Sequence, residues 1–462
     1  MSADLMVKNV AERIEGPLLF LKRNVNVGLN TAVEVVGEDG RNRIGRVTTL
    51  DQDSMIVEVL ESTSGLGLRN HQVRILSEPL QCAVGPGLLG RSFNGVGQAI
   101  DGGPPAPATR RLRIDGLAIN PAVRDRPKQF IETGISSIDV MNSLVRGQKL
   151  PIFSGGGLPH DRMITEIAQR ARLREASEGD FAVVFVAIGI SHDSIETFRS
   201  AMIESGALEH TVLFLNLADD PSPQRLLTPR YALTAAEYLA FVEGRHVLVI
   251  MTDMTNYCEA LREVSASHGE IPGRKGYPGY LYSDLATIYE RAGCVRGLPG
   301  TLTQLPVLTM PSDDIGHPIP DLTGYITEGQ LVLDRDLDRR GIYPPVKVLP
   351  SLSRLMDAGI GNGFTHEDHP ALSHQLFAAY ARAAKVRVLA SVMGEEGLPK
   401  TDQQYLRFGD TFEVEFIQQP ESRTLEESME IGWRLLRELP ANELSRLSSQ
   451  QIDRYIETEN NG

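Results

Sequence analysis

The stretch Leu150–Asp161, LPIFSGGGLPHD, has the layout of a phosphate-binding loop. A short apolar run precedes clustered glycines, and a helix-forming segment, RMITEIAQRARL, follows. In such a loop, backbone N–H groups and a helix N-terminus hold phosphate, a lysine reaches the outer phosphates, and a Ser or Thr hydroxyl binds magnesium. The layout therefore indicates a nucleotide-binding type of loop, although an ordinary glycine-rich strand-to-helix turn has the same outline.

The residues that would do the chemistry in this loop have been replaced. Against the pattern GxxxxGK[ST], Ser154 stands at the first glycine, Pro159 at the second, His160 at the lysine and Asp161 at the Ser/Thr position. Proline has no N–H to donate, histidine is mostly neutral at pH 7, and the aspartate places negative charge near the phosphate. We therefore expect poor phosphate binding by the degenerate loop, which comprises Ser154, Gly155, Gly156, Gly157, Pro159, His160 and Asp161.

Segment patterns outward from this loop predict a multidomain α/β protein. Residues 1–76 contain short strands rich in β-branched residues, with a hairpin signal at Glu38-Asp39-Gly40, and are typical of a small β-barrel. Residues 77–350 are predicted to form an α/β domain of the nucleotide-binding type, beginning with a Gly- and Pro-rich segment to about 120 that resembles a linker or a wrapping segment. Residues 351–462 are predicted to form a helical bundle.

The middle of the chain alternates apolar strands with helices. Nearly continuous apolar runs at 181–189, 211–219, 246–254 and 302–310 predict parallel strands buried on both faces. After about residue 350, apolar residues recur at helical spacing, and Thr424 and Glu427 stand at capping-box spacing. The pattern thus predicts an open parallel sheet followed by helices.

Composition excludes several classes of function. The formal net charge of −14 argues against nucleic-acid binding. No apolar run reaches the roughly 20 residues needed to span a bilayer, and the first residues lack the apolar core of a secretory signal. The three cysteines, widely spaced, give no metal pattern. We expect a cytoplasmic protein without direct membrane insertion.

Three further motifs have a functional and an ordinary interpretation. His246–Asp253, HVLVIMTD, resembles a degenerate Walker B strand in which Asp253 would orient magnesium, although any buried strand can end in Asp. Gly85–Ser92 matches a glycine-loop pattern, but the sequence shows no clear strand before it and no helix after it, so a phosphate site is not expected. His366–His369, HEDH, is more typical of a solvated turn before a helix than of a ligand set, and we assign no metal.

Taken together, these segments resemble the B subunit, or beta chain, of V-type and A-type rotary ATPases. The most specific stretches are 88–105, 130–159, 252–293, 317–330 and 341–359, and the likeness extends over essentially all 462 residues. The resemblance implies an N-terminal β-barrel, a RecA-like domain and a C-terminal helical bundle, in agreement with the segment patterns. It also implies the non-catalytic member of a ring in which three B subunits alternate with three catalytic A subunits.

The resemblance assigns roles to particular residues. Arg354, in SLSRLMD, corresponds to the arginine finger that completes the ATP site of the neighbouring catalytic subunit. Thr323 is a weaker candidate for facing that nucleotide, and a strand-end threonine bonding its own backbone is equally compatible with the sequence. Ile190 stands where catalytic relatives carry the glutamate that activates water, and isoleucine cannot polarise water.

The same resemblance implies partners and cofactors. We expect no cofactor held by the chain itself, with ATP or ADP and magnesium bound at the interface with the catalytic subunit. Central rotor subunits and peripheral stalk subunits, the latter contacting the barrel region or the C-terminal domain of the ring, complete a soluble sector on the cytoplasmic side of a membrane. ATP turnover would be coupled there to proton or sodium transport.

Two alternatives remain open at this stage. The chain could retain a regulatory nucleotide site of its own, against which the missing lysine and Ser/Thr argue. It could instead be a self-sufficient hexameric P-loop ATPase, which requires the intact GxxxxGK[ST] that the sequence lacks.

Overall fold

The computed structural model describes residues 5–7, 11–68, 71–105, 108–116, 118–173 and 181–456. Two compact units are interleaved along the chain. One comprises Met1–Asn120, Ala182–Arg291 and Leu298–Gly300, and the other comprises Pro121–Phe181, Ala292–Gly297 and Thr301–Gly462. The N-terminal segment, in which no secretory signal is expected, lies partly outside the described residues, at 1–4 and 8–10.

The N-terminal part of the first unit is an antiparallel sheet of seven strands. In spatial order the strands are Leu5–Val7, Gln72–Pro79, Thr31–Val36, Asn42–Leu50, Ser54–Val59, Leu18–Lys22 and Ala11–Glu15. Alternate valines and leucines of these strands form one buried core, as the period of two predicts. The predicted hairpin is confirmed, because Gly40 adopts a positive φ of 69° between two paired strands.

The rest of the first unit has an α/β architecture. Strand Thr211–Leu217 pairs in parallel with Phe181–Ile190 on one side and with Ser92–Asn94 on the other. Strand His246–Thr252 belongs to the same sheet, and Gln81–Val84 pairs separately with Arg110–Arg113. The α-helices are His192–Glu204, Ser222–Glu237, Met254–Ser267 and Leu281–Tyr289, and the second continues as a π-helix, Tyr238–Val242.

The interpretation of residues 77–120 as a linker or a wrapping segment was wrong. Ser92–Asn94 is an edge strand of the parallel sheet, and Phe93 stacks on Phe214 with ring centroids 5.2 Å apart. The strand is three residues long and flanked by glycines, so it carries too few residues to show periodicity in the sequence.

The second unit contains a mixed sheet. Strand Ile152–Gly155 lies in parallel between Thr301–Met310 and Gly329–Val332, and Leu352–Ser353 adds an antiparallel edge. Shorter pairs join Arg124–Asp125 to Gly293–Val295, and Phe130–Glu132 to Leu144–Val145 and Arg172–Leu173. The helices associated with this part are Ser136–Asp139, His160–Arg170, Pro318–Ile326, Arg335–Arg339 and Met356–Gly359.

The C-terminal part of the second unit is helical, as predicted. Its helices are His369–Met393, Lys400–Thr411, Leu425–Leu436 and Ser449–Tyr455, with a π-helix at Phe412–Ile417. They enclose a shared apolar core in which Leu376, Phe408 and Leu436 are fully buried. Thr424 and Glu427 form the predicted capping box. None of the described helices is long and apolar enough to span a bilayer.

Candidate functional site: a closed loop and an exposed arginine

The degenerate loop keeps its strand–loop–helix geometry. Strand Ile152–Gly155 leads into the glycines, Gly157 adopts a φ of 81°, and helix His160–Arg170 begins directly after Pro159. No side chain caps this helix within the described part of the chain. The backbone therefore forms the cradle that the sequence layout predicts.

Internal hydrogen bonds use two of the N–H groups of this loop. The Leu158 N–H donates to the Gly155 carbonyl at 3.1 Å, and the His160 N–H donates to the Leu158 carbonyl at 2.8 Å. The Ser154 hydroxyl lies 2.9 Å from Nδ1 of His160, which turns the imidazole towards the loop. The N–H groups of Leu158 and His160 thus already have acceptors, and Pro159 has no N–H, so these three positions offer no donor to a phosphate.

An ion pair that the sequence analysis missed lies beside the loop. Arg335 donates to both carboxylate oxygens of Asp313, at 2.8 and 3.0 Å, and to the Gly156 carbonyl at 2.9 Å. The hydrogen bonds from Arg335 lower the pKa of the Asp313 carboxyl. Because the Asp313–Arg335 pair is neutral overall, it does not replace the positive charge of the missing lysine. Asp313 and its neighbour Ser312 both have positive φ, an uncommon conformation for residues with side chains.

The other two degenerate positions lie in the first unit. Asp253 is buried, and its carboxylate accepts the Thr255 N–H at 2.7 Å as the N-cap of helix Met254–Ser267. Ile190 ends strand Phe181–Ile190 after a bulge at Gly189, which has a φ of 64°. Asp253 therefore has a structural function as a helix cap, whatever its relation to magnesium.

Arg354 is held by its backbone and exposed through its side chain. Its N–H donates to the Glu328 carbonyl at 2.9 Å, directly after the paired strands Leu352–Ser353 and Gly329–Val332. The preceding residue, Ser353, is buried and its hydroxyl donates to the Ser143 carbonyl at 2.8 Å. Over the described ranges, the Arg354 guanidinium has no hydrogen-bond or carboxylate partner. It is therefore available to a group outside the chain.

Thr323 differs from Arg354 in exposure. It lies inside helix Pro318–Ile326 rather than at a strand end, and it is 0% exposed. Its carbonyl accepts from Thr327, while its hydroxyl has no partner within the described part of the molecule. The isolated chain does not present this hydroxyl at its surface, and its relation to a neighbouring nucleotide stays a prediction.

The candidate HEDH motif forms a helix start. His369 is fully buried and its ring nitrogens lie 3.0 Å from the Thr365 hydroxyl and 3.1 Å from the Val140 carbonyl. Asp368 accepts hydrogen bonds from Gln451 and Tyr455 at 2.6 and 2.7 Å. Within the ranges described, no three His, Cys, Asp or Glu side chains are grouped as for a metal ion.

Comparison with known proteins matches all three regions of the fold. Residues 12–76 match the sequence model of the ATP synthase alpha/beta family β-barrel domain, and residues 134–353 match that of the family's nucleotide-binding domain. Residues 358–456 match the C-terminal domain of V and A type ATP synthase.

Two individual proteins are similar over nearly the whole length. A V-type ATP synthase beta chain of Halothermothrix orenii is 54% identical over 444 residues, which are 96% of this chain and 96% of the relative. A solved structure described as a unique ATP synthase subunit NeqB from Nanoarcheaum equitans is 39% identical, with a TM-score of 0.73. The match covers 92% of this chain and 100% of that one.

Proposed function

Because the chain belongs to the ATP synthase alpha/beta family, in its V- and A-type branch, we propose that it is the B subunit of a rotary ATP synthase or ATPase and does not itself hydrolyse ATP. It alternates with a catalytic A subunit in a ring, and nucleotide with magnesium binds at the interface between the two. The ring couples ATP turnover to proton or sodium transport from the cytoplasmic side of a membrane, together with rotor and stalk subunits.

The observation that carries this proposal is the contrast between the closed loop and Arg354. The loop has lost its lysine, its second glycine and its hydroxyl residue, and the Asp313 carboxylate lies beside it. Arg354, by comparison, has an anchored backbone and an exposed guanidinium. Such an arginine supplied to a neighbouring site stabilises the charge that develops on the transferred phosphoryl group.

The test is Arg354→Ala in the complex reconstituted with its catalytic partner. We expect ATPase activity to fall at least about a hundredfold, because an arginine finger contributes on the order of a thousandfold or more. Size-exclusion chromatography should show unchanged assembly, since the side chain has no described partner within the chain. Arg354→Lys should recover only part of the rate, because a lysine lacks the planar fork.

His160→Ala is the matched control within the degenerate loop. Because His160 contacts Ser154 rather than a nucleotide in this proposal, its loss should leave turnover nearly unchanged. Near-normal turnover of the Arg354→Ala complex, or a large loss with His160→Ala, would contradict the assignment of the two sites.

A further inference from the structure

A small cavity lies beside the segment that carries Arg354. It measures about 370 Å³ and is lined by Arg126, Lys128, Asp357, Ala358 and Phe364. Pockets that take small ligands or single side chains occupy roughly 300–1,000 Å³, so this cavity is at the small end of that range. We call it the basic pocket. None of its lining residues takes part in the degenerate loop.

The two cations of the basic pocket are exposed to solvent. Neither Arg126 nor Lys128 meets a carboxylate or another hydrogen-bond partner among the residues that the structure describes. The carboxylate of Asp357, which lines the same cavity, lies 3.7 Å from Nε2 of His374. The chain as a whole has a net charge of −14. The basic pocket, with two cations and one carboxylate, is therefore a local region of positive potential.

Hydrogen bonds hold the backbone on both sides of the pocket. On the Phe364 side, the Gly361 N–H donates to the Thr365 hydroxyl at 2.7 Å, and the Thr365 N–H donates to the Gly361 carbonyl at 2.8 Å. On the basic side, Gln129 adopts a φ of 73° and its carbonyl accepts the Arg146 N–H at 3.0 Å. The cavity is therefore a preformed feature, which lowers the cost of binding a partner group.

The strand Leu144–Val145 contacts both the basic side of the pocket and the helix next to Arg354. Val145 pairs with Phe130, and Phe130 is two residues after Lys128. Val145 also lies against Gly359, because a Cβ added to Gly359 would be 2.7 Å from a Val145 methyl group. Gly359 ends the short helix Met356–Gly359, which begins two residues after Arg354 and carries Asp357 and Ala358. One strand thus supports both the basic wall and the helix adjoining the arginine.

We propose that the basic pocket receives an acidic side chain of the neighbouring catalytic subunit, and that this contact fixes the position of Arg354 relative to that neighbour. The inference rests on the proposed function, which places Arg354 at the interface. Charge complementarity favours a carboxylate as the occupant. The neighbouring subunit is the source because the pocket wall and Arg354 belong to the same short segment.

Carbodiimide cross-linking of the assembled complex tests the contact directly. The reagent joins a lysine amine to a carboxylate in contact with it, as an amide with loss of water. Mass spectrometry should identify Lys128 linked to an Asp or Glu of the catalytic subunit. Lys128→Arg should abolish the link while keeping the charge, since a guanidinium does not react. A link from Lys128 to another copy of this chain, or none to the catalytic subunit, would overturn the proposal.

Association measurements supply an independent test. Arg126→Ala/Lys128→Ala should weaken, by about tenfold, the binding of this chain to its catalytic partner and should reduce the salt dependence of that binding. Arg110→Ala/Arg111→Ala is the matched control, because it removes the same charge from two exposed arginines of the other unit and should leave binding unchanged. Equal affinities for both double variants would contradict the proposal.

A free anion is the competing occupant. Binding of inorganic phosphate to the isolated chain tests this alternative. If the Arg126→Ala/Lys128→Ala variant loses phosphate binding but keeps its affinity for the catalytic subunit, the pocket is an anion site and the proposal fails. Failure of the proposed function is a different result. Normal turnover of the Arg354→Ala complex together with the Lys128 cross-link would reject the arginine finger and keep the docking contact.

Discussion

Asp139 shows how a single residue combines burial with local hydrogen bonding. Its carboxylate is 0% exposed and accepts the Thr133 N–H, the Thr133 hydroxyl at 2.7 Å and the Gly134 N–H at 2.8 Å. The adjoining turn is tied to the C-terminal helices, because the Ser136 N–H donates to the Gln419 side chain at 2.7 Å. Despite the donors, burial raises the pKa of the Asp139 carboxyl to about 7.

This pKa predicts a pH-dependent contribution to stability. The folded chain keeps the Asp139 proton up to a pH of about 7, whereas the unfolded chain releases it near the ordinary aspartate pKa of 3.8. The stabilising contribution is therefore complete below the unfolded pKa and is lost as the pH rises through about 7. Asp139→Asn removes the titration and one acceptor, at a cost of about 3 kcal/mol. Denaturant unfolding at several pH values measures both effects.

The expected sign is specific. The advantage of the unmodified chain over Asp139→Asn should be larger at pH 5 than at pH 8. Thr133→Ser keeps the hydroxyl donor and serves as the control, with a pH dependence like that of the unmodified chain. A constant or increasing advantage between pH 5 and pH 8 would show that the carboxylate is ionised throughout.

For single residues, the sequence predicts which chemistry is missing from the loop, but it does not predict which contacts the structure forms there instead. The chemistry of Pro159, His160 and Asp161 can be derived from the side chains alone. The Asp313–Arg335 pair cannot, since the residues lie far from the loop in sequence and meet it only through the order of strands in the sheet. The exposure of Arg354 likewise depends on the pairing of two short strands.

Among the elements, the two-residue strand Leu352–Ser353 is the one on which Arg354 depends. It pairs with Gly329 and Gln330 at the edge of the sheet. Gly329 has a φ of 137°, a conformation that side chains rarely adopt, and an added Cβ would overlap the Leu352 carbonyl oxygen. Both the backbone conformation and the lack of space for a side chain require glycine at position 329. The glycine therefore allows the edge strand Leu352–Ser353 to lie close to this backbone.

Gly329→Ala should therefore displace Arg354 and reduce its contribution to the ATPase rate, although the arginine itself is still present. The methyl group must displace the Leu352 carbonyl, which shifts the backbone that carries the arginine. We expect the reconstituted complex to lose at least about tenfold in ATPase rate, because a misplacement of about 1 Å costs on the order of a hundredfold in a positioned site. Circular dichroism and chromatography should show a folded, assembled subunit.

Gly324→Ala is the matched control for this prediction. Gly324 lies in helix Pro318–Ile326, its φ is not in the positive range, and an added Cβ would meet only the Gln330 side chain at 3.8 Å. This variant should keep its activity. Equal activity of Gly329→Ala and Gly324→Ala would show that Arg354 does not depend on the edge strand.

Long elements could be predicted from periodicity, whereas short ones could not. The buried strands Phe181–Ile190 and Thr301–Met310 and the helix Leu425–Leu436 follow apolar patterns that are visible in the sequence. Ser92–Asn94 and Leu352–Ser353 have two or three residues each, and their pairing is decided by neighbours distant in the chain. The elements closest to the proposed interface are among those that local sequence determines least.

At the scale of the whole chain, the nucleotide-binding type of fold is present while the lysine and hydroxyl residue of GxxxxGK[ST] are absent. The similarity to a V-type ATP synthase beta chain extends over 96% of the sequence, and the match to the family's nucleotide-binding domain, residues 134–353, includes the degenerate loop. If the proposed function is correct, selection acts on the surface of this domain, which has to fit the catalytic subunit. The proposed function, in which only the catalytic subunit binds phosphate, then predicts how many nucleotides the assembled ring binds.

Calorimetric titration with Mg-ATP measures this number. The isolated chain should show no saturable binding at micromolar concentrations, because the loop has no lysine, the Leu158 and His160 N–H groups are already bonded, and Pro159 has no N–H. The isolated catalytic partner is the positive control. The complex should bind one nucleotide for each pair of subunits, whereas two per pair, or micromolar binding by the isolated chain, would show that this chain keeps a regulatory nucleotide site of its own.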